Sequence, residues 1–311
     1  MSVTPLVKPP SRWQRLLASD LLYAFLRSPV ALLAAVLSLL CLVAALFAGQ
    51  LAPYDTMDPA AVNLSDALLP PAWLEEGRRE YLLGTDGQGR DIFSALFYGA
   101  RISILIGLSA VALSVLIGVS LGLLAGYLGG ALDAVIMRVC DVMLSFPAIL
   151  VALLINGVAH AVYPQAGESM ALTVLVMAIA LTGWVQYART VRGSTLVERQ
   201  KEYVQAARVV GVSNLRIMRR HVLPNVLGPV FVLATIQVAT AIITEATLSF
   251  LGVGVPATSP SLGTLIRNGR EFLFSGEWWI TWFPAGMLML IALSVNLLGD
   301  WLRDALNPRL R

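Results

Sequence analysis

Charged residues are scarce in this sequence. Asp, Glu, Lys and Arg make up 13% of its 311 residues and hydrophobic residues 57%, whereas an ordinary soluble domain carries about 25% charged residues. The composition therefore excludes a water-soluble globular domain. Cysteine is also rare: Cys41 and Cys140 are the two in the chain, and both lie in or beside apolar runs. Such cysteines supply neither a disulfide framework nor a Cys/His metal site.

Lysine and histidine are equally rare, with two of each. Neither Lys8 nor Lys201 follows a G-x-x-x-x-G sequence, so the chain lacks the Walker A loop that binds ATP phosphates. His160 and His221 form no H-E-x-x-H pair, and no G-x-S-x-G nucleophile motif occurs. We therefore expect no enzymatic activity, no metal site and no cofactor bound by this chain.

What the sequence does contain is long apolar runs. A hydrocarbon core of about 30 Å is crossed by roughly 20 apolar residues in a helix, because other backbone arrangements leave polar groups unpaired in lipid. The first run is too long for the core of a cleavable signal peptide. We predict an all-α, polytopic membrane protein with six transmembrane helices at residues 30–49, 102–128, 142–161, 170–188, 226–250 and 278–299.

The distribution of basic residues predicts the orientation. If both termini are cytoplasmic, sixteen Lys and Arg residues lie on the cytoplasmic side and six lie outside, in agreement with the positive-inside rule. The outer connector, which is rich in acidic residues and proline, is expected to be irregular and solvated. The predicted segments between the spans are a cytoplasmic N-terminal segment (1–29), an extracytoplasmic connector (50–101), a cytoplasmic loop (189–225), an extracytoplasmic loop (251–277) and a cytoplasmic tail (300–311).

Small residues recur at every fourth position of the second predicted span. Such a row lets another helix backbone approach closely, so we expect this helix to lie inside a bundle. The row consists of Ala110, Ser114, Gly118, Gly122 and Gly126.

The fifth predicted span carries a polar stripe. Gln237, Thr240, Thr244 and Thr247 share a helical face that borders Glu245, the one charged residue in the six spans. Placing a carboxylate in a span costs at least about 2.5 kcal/mol, so we expect Glu245 to face protein or water. Two interpretations stay open: the stripe holds helices together by hydrogen bonds, or it lines a solute pathway.

The cytoplasmic loop has the pattern of a helical hairpin. Residues 194–210 have a helix-compatible composition, Gly211 can end a helix, Ser213 can begin the next, and Pro224 restricts the start of the fifth span. From the residues alone, a basic hairpin fits membrane-surface packing, nucleic-acid binding or docking of another protein.

This loop resembles a known family. The stretch EYVQAARVVG from Glu202 to Gly211, followed by Ile217 and by HVLPN from His221 to Asn225, is similar to the EAA loop of ABC importer permeases. The resemblance implies a coupling helix that docks on a separate ATPase subunit. Gln205 stands where the family often has Glu, which removes one charge from the docking surface. The positions that carry this implied role are Glu202, Gln205, Ala206, Ala207, Gly211, Ile217, His221, Leu223 and Pro224.

Further stretches are similar to the dipeptide/oligopeptide branch of this family, so that the resemblance extends from about residue 12 to residue 308. They are LGTDGQGRD (83–91), LSFLGVG (248–254), NLLGD (296–300) and LRDALNP (302–308). The first is rich in residues that favour turns, and it is interpreted either as a turn or as a contact for an external binding protein.

The resemblance implies the type I (MetI-like) ABC importer permease fold in the inner membrane, with the five later spans as its core and the first span as a peripheral helix. It also implies a second, homologous permease subunit, two ATPase subunits that hold ATP and Mg, and an extracytoplasmic substrate-binding protein; no nucleic-acid partner is expected. The implied cargo is a dipeptide or oligopeptide, with glutathione or a nickel complex as alternatives. The pathway interpretation of the fifth span assigns Gln237, Thr240, Thr244 and Glu245 to the route. A channel or a membrane scaffold with a vestigial loop is the alternative from another class.

Overall fold

The computed structural model describes residues 20–56, 63–163, 167–256 and 259–306. Parts of the predicted N-terminal segment, connector and tail, namely 1–19, 57–62 and 307–311, lie outside these ranges. Within them the chain forms α-helices and no β-strand, so the predicted all-α class is confirmed. The helices are α1 (Asp20–Arg27), α2 (Pro29–Leu46), α3 (Ala48–Leu51), α4 (Ile92–Leu128), α5 (Gly130–Leu144), α6 (Ala148–Val162), α7 (Glu168–Glu198), α8 (Glu202–Val209), α9 (Asn214–Ile217), α10 (Leu223–Phe250), α11 (Leu262–Gly269) and α12 (Trp279–Leu306).

Five helices are long and apolar enough to cross a membrane. They are α2, α4, α7, α12 and the continuous helix Asn214–Phe250, in which the π-helical segment Met218–Val222 joins α9 to α10. A sixth candidate is the pair α5 and α6, whose axes differ in direction by 91°. The third predicted span is therefore not one straight helix. Pro147 stands at the N-cap of α6, where it lacks an amide to continue α5 and restricts the residue before it.

Several helices extend beyond the predicted membrane crossings. α4 begins ten residues before the predicted span because Asp91 caps it, accepting hydrogen bonds from the backbone N–H (2.8 Å) and hydroxyl (2.6 Å) of Ser94. α7 continues to Glu198 and α12 to Leu306. Hydropathy locates where a helix can lie in lipid, whereas caps and breakers decide where it ends.

The bundle is centred on α4 and α7, which pack closely through the small residues of α4. A Cβ atom added at Gly118 would lie 2.5 Å from the carbonyl oxygen of Trp184, and one at Gly122 would lie 2.5 Å from that of Ala188. All five small residues of the predicted row are buried. The predicted packing face is confirmed.

α2 packs on the outside of the bundle against α12 and α4. Its small residues face inward: Ala31, Ala34 and Ala45 are buried, whereas Leu33 and Leu39 on the other face are exposed. A helix with large apolar side chains outward and small ones inward fits a peripheral position beside lipid.

The outer connector is irregular but not solvated throughout. Asp66 is buried and accepts hydrogen bonds from Arg78 (2.5 Å), Asn63 (2.9 Å) and Tyr81 (3.2 Å). The expectation of a solvated connector is therefore wrong at this point, because ion pairing and hydrogen bonds stabilise the buried carboxylate.

Candidate coupling and translocation surfaces

A hairpin of α8 and α9 projects at the end of the bundle where α7 ends and α10 begins. The predicted single helix over residues 194–210 is wrong, since α7 ends at Glu198 and α8 begins at Glu202. Arg199 caps α7, and its guanidinium donates to the carbonyls of Gly126 (2.9 Å) and Tyr127 (3.2 Å) at the end of α4. The break thus anchors the hairpin to a second helix.

Gly211 forms the turn between α8 and α9. Its φ of 85° lies in the left-handed region, which glycine adopts without steric cost. The Gly211 N–H donates to the Arg208 carbonyl and the Val212 N–H to the Ala207 carbonyl, both at 3.0 Å, and these bonds satisfy carbonyls at the end of α8. The predicted turn is confirmed. Ser213 occupies the N-cap of α9, although its side chain makes no capping hydrogen bond.

One face of the hairpin belongs to the hydrophobic core. Val204, Ile217 and Val222 are fully buried in the same cluster as Tyr127 and Val226. Ile217, predicted to take part in docking, is therefore corrected to a packing residue that holds α9 against the bundle. Leu223 is also partly buried against this cluster.

The other face of the hairpin is exposed. Glu202, Gln205, Ala206 and Pro224 are exposed as predicted for a docking surface, while Ala207 and His221 are partly buried. Sequence reasoning missed three apolar side chains around the turn. Each is more than half exposed, so the described part of the chain does not cover it. They are Val209 (89%), Val210 (81%) and Leu215 (62%). Exposed apolar residues on a projecting hairpin indicate a partner protein.

Tyr203 fixes the hairpin to the start of α10. Its hydroxyl donates to the Glu198 carboxylate and accepts a hydrogen bond of 2.9 Å from the Asn225 amide. Desolvation, together with the hydrogen bond to Glu198, raises the pKa of Tyr203 to about 12. The hydroxyl therefore remains a donor at neutral pH.

A small groove of about 100 Å³ lies between α4, α7 and α10. The predicted residues Gln237, Thr240 and Thr244 line it from α10, and Thr182 and Gln186 line it from α7. Sequence reasoning missed the two α7 residues, although their spacing of four places them on one face of the predicted fourth span.

The groove combines apolar side chains with uncharged polar ones, and no charged residue lines it. The hydroxyls of Thr182 and Thr244 donate to backbone carbonyls of their own helices at 2.8 Å, and Thr240 does so at 3.3 Å. Since each threonine hydroxyl donates its proton within its own helix, its oxygen presents acceptor lone pairs to the groove. Such a surface accepts hydrogen bonds from a polar ligand without selecting its charge.

Glu245 does not face this groove, so its assignment to the pathway is corrected. It is fully buried and accepts hydrogen bonds from Ser103 (2.6 Å) and Ser249 (2.7 Å). Ser103 in turn accepts from the Leu262 N–H (3.2 Å), and Ser249 from the Val255 N–H (3.0 Å). The carboxylate therefore joins α4, α10 and the start of α11, and the packing interpretation is the one that the geometry supports.

No group of three or more His, Cys, Asp or Glu side chains that could hold a metal ion occurs among the described residues.

Long apolar helices around a polar groove, with a hairpin projecting from one end, define the chain as an integral membrane transport subunit that contacts another protein. Its residues 118–311 match the family model of the binding-protein-dependent transport system inner membrane component, and residues 12–71 match the N-terminal TM domain of oligopeptide transport permease C. The chain belongs to this family of ABC importer permeases, in which the ATPase is a separate subunit.

Curated relatives match over most of their length. The di/tripeptide transport system permease protein DppC of Pseudomonas aeruginosa is 41% identical over 88% of this chain and 86% of its own. The dipeptide transport system permease protein DppC of Haemophilus influenzae is 37% identical over 100% of both chains. The oligopeptide transport system permease protein OppC of Bacillus subtilis is 37% identical over 94% of this chain and 90% of its own.

The fold is also similar to solved structures. A chain of the inward-facing MetNI methionine ABC transporter aligns in two crystal forms with TM-scores of 0.54 and 0.53, at 17% and 19% identity. The alignments cover 68% and 70% of this chain and 96% and 98% of that chain. The expected type I importer permease fold is confirmed.

Proposed function

We propose that this chain is one of two permease subunits of an ATP-driven importer of dipeptides and oligopeptides. It would form half of the translocation pathway and carry one coupling helix, α8. The observation that carries the proposal is the exposed hairpin tip at Val209, Val210 and Leu215, which is joined directly to the helices around the groove. The names of the relatives favour peptides over glutathione or a nickel complex as cargo.

The continuous helix Asn214–Phe250 supplies a mechanical link between the two surfaces. Its first residues belong to the hairpin, and Gln237, Thr240 and Thr244 lie on the groove further along the same helix. When two ATPase subunits close around ATP and Mg, a docked hairpin moves with them, and this helix tilts as a rigid body. The groove then alternates between the two sides of the membrane.

The groove has the chemistry that a peptide pathway needs. Peptides with different side chains share backbone N–H groups, and the threonine oxygens on α7 and α10 are uncharged acceptors for them. The side-chain amides of Gln186 and Gln237 add both hydrogen-bond donors and acceptors. A homologous permease would complete the pathway on the open side of the groove.

The remaining assignments follow from this proposal. The chain lies in the cytoplasmic (inner) membrane with both termini in the cytoplasm, as the excess of basic residues around the hairpin supports. It binds no cofactor itself, and ATP and Mg act on the ATPase subunits. An extracytoplasmic binding protein delivers the cargo, and nucleic acid has no part.

The test is docking of the ATPase at the hairpin tip. Val210→Asp places a charge on the exposed apolar patch, and we expect it to abolish both co-purification of the ATPase subunits and ATP-dependent uptake of a labelled dipeptide by proteoliposomes. Leu82→Asp is the matched control, because Leu82 is an exposed apolar residue on the outer connector. If Val210→Asp still binds the ATPases and transports, the hairpin is not the coupling element. Passive conductance by the chain alone would favour a channel.

A further inference from the structure

The loop 84–91 is a rigid structure at the end of the bundle opposite the hairpin. The Asp86 carboxylate accepts hydrogen bonds from the N–H groups of Gln88 (2.9 Å) and Arg90 (3.0 Å), and it pairs with the Arg90 guanidinium at 2.7 Å. The side chains of this ion pair are 8% and 9% exposed. Gly84 and Gly89 hold the loop in shape with φ values of 82° and 78°.

This loop forms one wall of a cavity of about 420 Å³. The opposite wall is the end of α11 and the turn that follows it. Gly87 and Phe272 both line the cavity and are in close contact, since a Cβ atom on Gly87 would lie 2.8 Å from the phenyl ring. The indole N–H of Trp279 donates a hydrogen bond to the Thr85 carbonyl at 3.1 Å, which holds the loop against the start of α12. The cavity is therefore formed before any ligand binds.

Two guanidinium groups on this cavity have no carboxylate partner among the described residues. Arg267 and Arg270 line it and are exposed, and neither takes part in an ion pair within the described ranges. Arg270 lies 5.7 Å from the centre of the Phe250 ring. Arg267 lies against Gly252, where an added Cβ atom would be 2.9 Å from the guanidinium carbon. Both charges are thus held in place at the end of α10.

The five charged residues that line the cavity, three arginines against Asp86 and Glu271, leave a net charge of +1. Arg90 is neutralised by Asp86, and Glu271 is an exposed carboxylate that forms no ion pair with either of the other two arginines. Asn268 adds an amide to the lining. The free positive charge therefore favours an anionic ligand, and guanidinium groups bind carboxylates through paired hydrogen bonds.

The position of the cavity indicates where that carboxylate comes from. The 28 residues of α10 separate the hairpin from Phe250 by about 42 Å, so in the proposed orientation the cavity opens to the extracytoplasmic side. It shares no lining residue with the polar groove. A preformed, exposed and positively charged cavity outside the groove fits a protein surface more closely than it fits cargo in transit.

We propose that this cavity receives an acidic side chain of the extracytoplasmic binding protein and is its docking site on this chain. The inference rests on the proposed function, and it adds the surface and the chemistry of the contact. Because Arg267 and Arg270 contact the end of α10, docking acts on the same helix that begins at the coupling hairpin. The rigid cavity loses little conformational freedom on binding, which favours affinity.

The experiment measures ATP hydrolysis by the full importer complex in nanodiscs as purified, peptide-loaded binding protein is added. For the double variant Arg267→Glu/Arg270→Glu we expect the half-maximal concentration of binding protein to rise at least tenfold, with the maximal rate retained. Arg79→Glu is the matched control, because Arg79 is an exposed arginine on the same outer region but not on the cavity. Asn268→Trp narrows the cavity without a change of charge and should give the same rise.

The outcomes separate the two proposals. If the wild-type complex is stimulated and both cavity variants keep its half-maximal concentration, the docking site is wrong while the importer function stands. If the wild-type complex is not stimulated at all, both proposals fall. Restoration of the double variant by an acid-to-arginine change in the binding protein would support the contact. Loss of direct binding of a labelled dipeptide, measured without binding protein, would overturn docking and assign the cavity to the cargo carboxylate.

Discussion

The hydroxyl of Tyr127 donates a hydrogen bond of 3.1 Å to the side-chain oxygen of Asn214, 87 positions later in the chain. Tyr127 is in the last turn of α4 and Asn214 is the first residue of α9. Arg208 of α8 lies over the same ring at 5.0 Å and donates to its hydroxyl at 3.3 Å. The hairpin is covalently continuous with α7 and α10, and Tyr127 connects it to α4. All three helices around the groove are therefore attached to the hairpin.

Removal of the Tyr127 hydroxyl should weaken coupling. Tyr127→Phe keeps the ring under Arg208 but loses the hydrogen bonds to Asn214 and Arg208. Each hydrogen bond contributes about 1 kcal/mol, so losing both weakens the attachment of the hairpin to α4 by about 2 kcal/mol, and we expect the number of peptides imported per ATP hydrolysed to fall severalfold. The measurement is the ratio of uptake to hydrolysis in proteoliposomes. Tyr163→Phe, at an exposed tyrosine after α6, should leave the ratio unchanged. An equal ratio for both variants would contradict coupling through the Tyr127 hydroxyl.

Alanine variants of Gly211 and Gly193 form a matched pair that tests the backbone conformation of the hairpin turn. A Cβ atom at either position meets no atom within 4 Å, but only Gly211 has a positive φ. Alanine at Gly211 should cost about 1–2 kcal/mol of local stability, whereas alanine at the helical Gly193 should add up to about 1 kcal/mol. Hydrogen exchange of the α8 amides should therefore become faster in the first variant only. Effects of the same sign would mean that the left-handed turn does not control the hairpin.

Because α4 and α7 are in close contact, we expect a single methyl group added between them to lower the stability of the complex. In Gly122→Ala the new Cβ atom would lie 2.5 Å from the Ala188 carbonyl oxygen, so the helices must separate. Overpacking of this kind costs about 1–3 kcal/mol. The melting temperature of the purified complex in detergent should fall, while Gly193→Ala, which meets no atom within 4 Å, should leave it unchanged or raise it slightly. Equal melting temperatures would show that the helix pair adjusts without strain.

Local patterns predicted the parts of this fold that depend on neighbours in sequence. The row of small residues on α4 and the turn at Gly211 were both identified, since periodicity and glycine conformation are local properties. The break at residues 199–201 was missed, because it is stabilised by Arg199 contacting Gly126 and Tyr127, more than seventy positions earlier. The bend between α5 and α6 likewise depends on packing, although Pro147 marks its place.

Glu245 lies on a different face from the groove threonines for a geometric reason. Successive residues on an α-helix are about 100° apart, so Glu245 points well away from Thr244 even though the two are adjacent. Its partner Ser103 is 142 positions away, and nothing in the fifth span identifies it. Sequence reasoning also missed Arg267 and Arg270 of the outer cavity. Whether an arginine has a carboxylate partner is decided by segments that are distant in sequence and meet only in the folded chain.

Variants of Glu245 distinguish a role in helix packing from a role in transport. Glu245→Leu leaves the hydroxyls of Ser103 and Ser249 without their acceptor in a buried site, and unsatisfied buried polar groups are costly. We expect the yield of assembled complex, measured by size-exclusion chromatography, to fall severalfold, with uptake per assembled complex unchanged. Glu245→Gln keeps one acceptor oxygen and should recover much of the yield. Thr240→Val, at an exposed groove position, should show the opposite pattern: normal assembly and reduced uptake. If Glu245→Leu assembles normally and transports less, the carboxylate belongs to the pathway after all, and the hydrogen bonds to Ser103 and Ser249 describe one state of a residue that moves during transport.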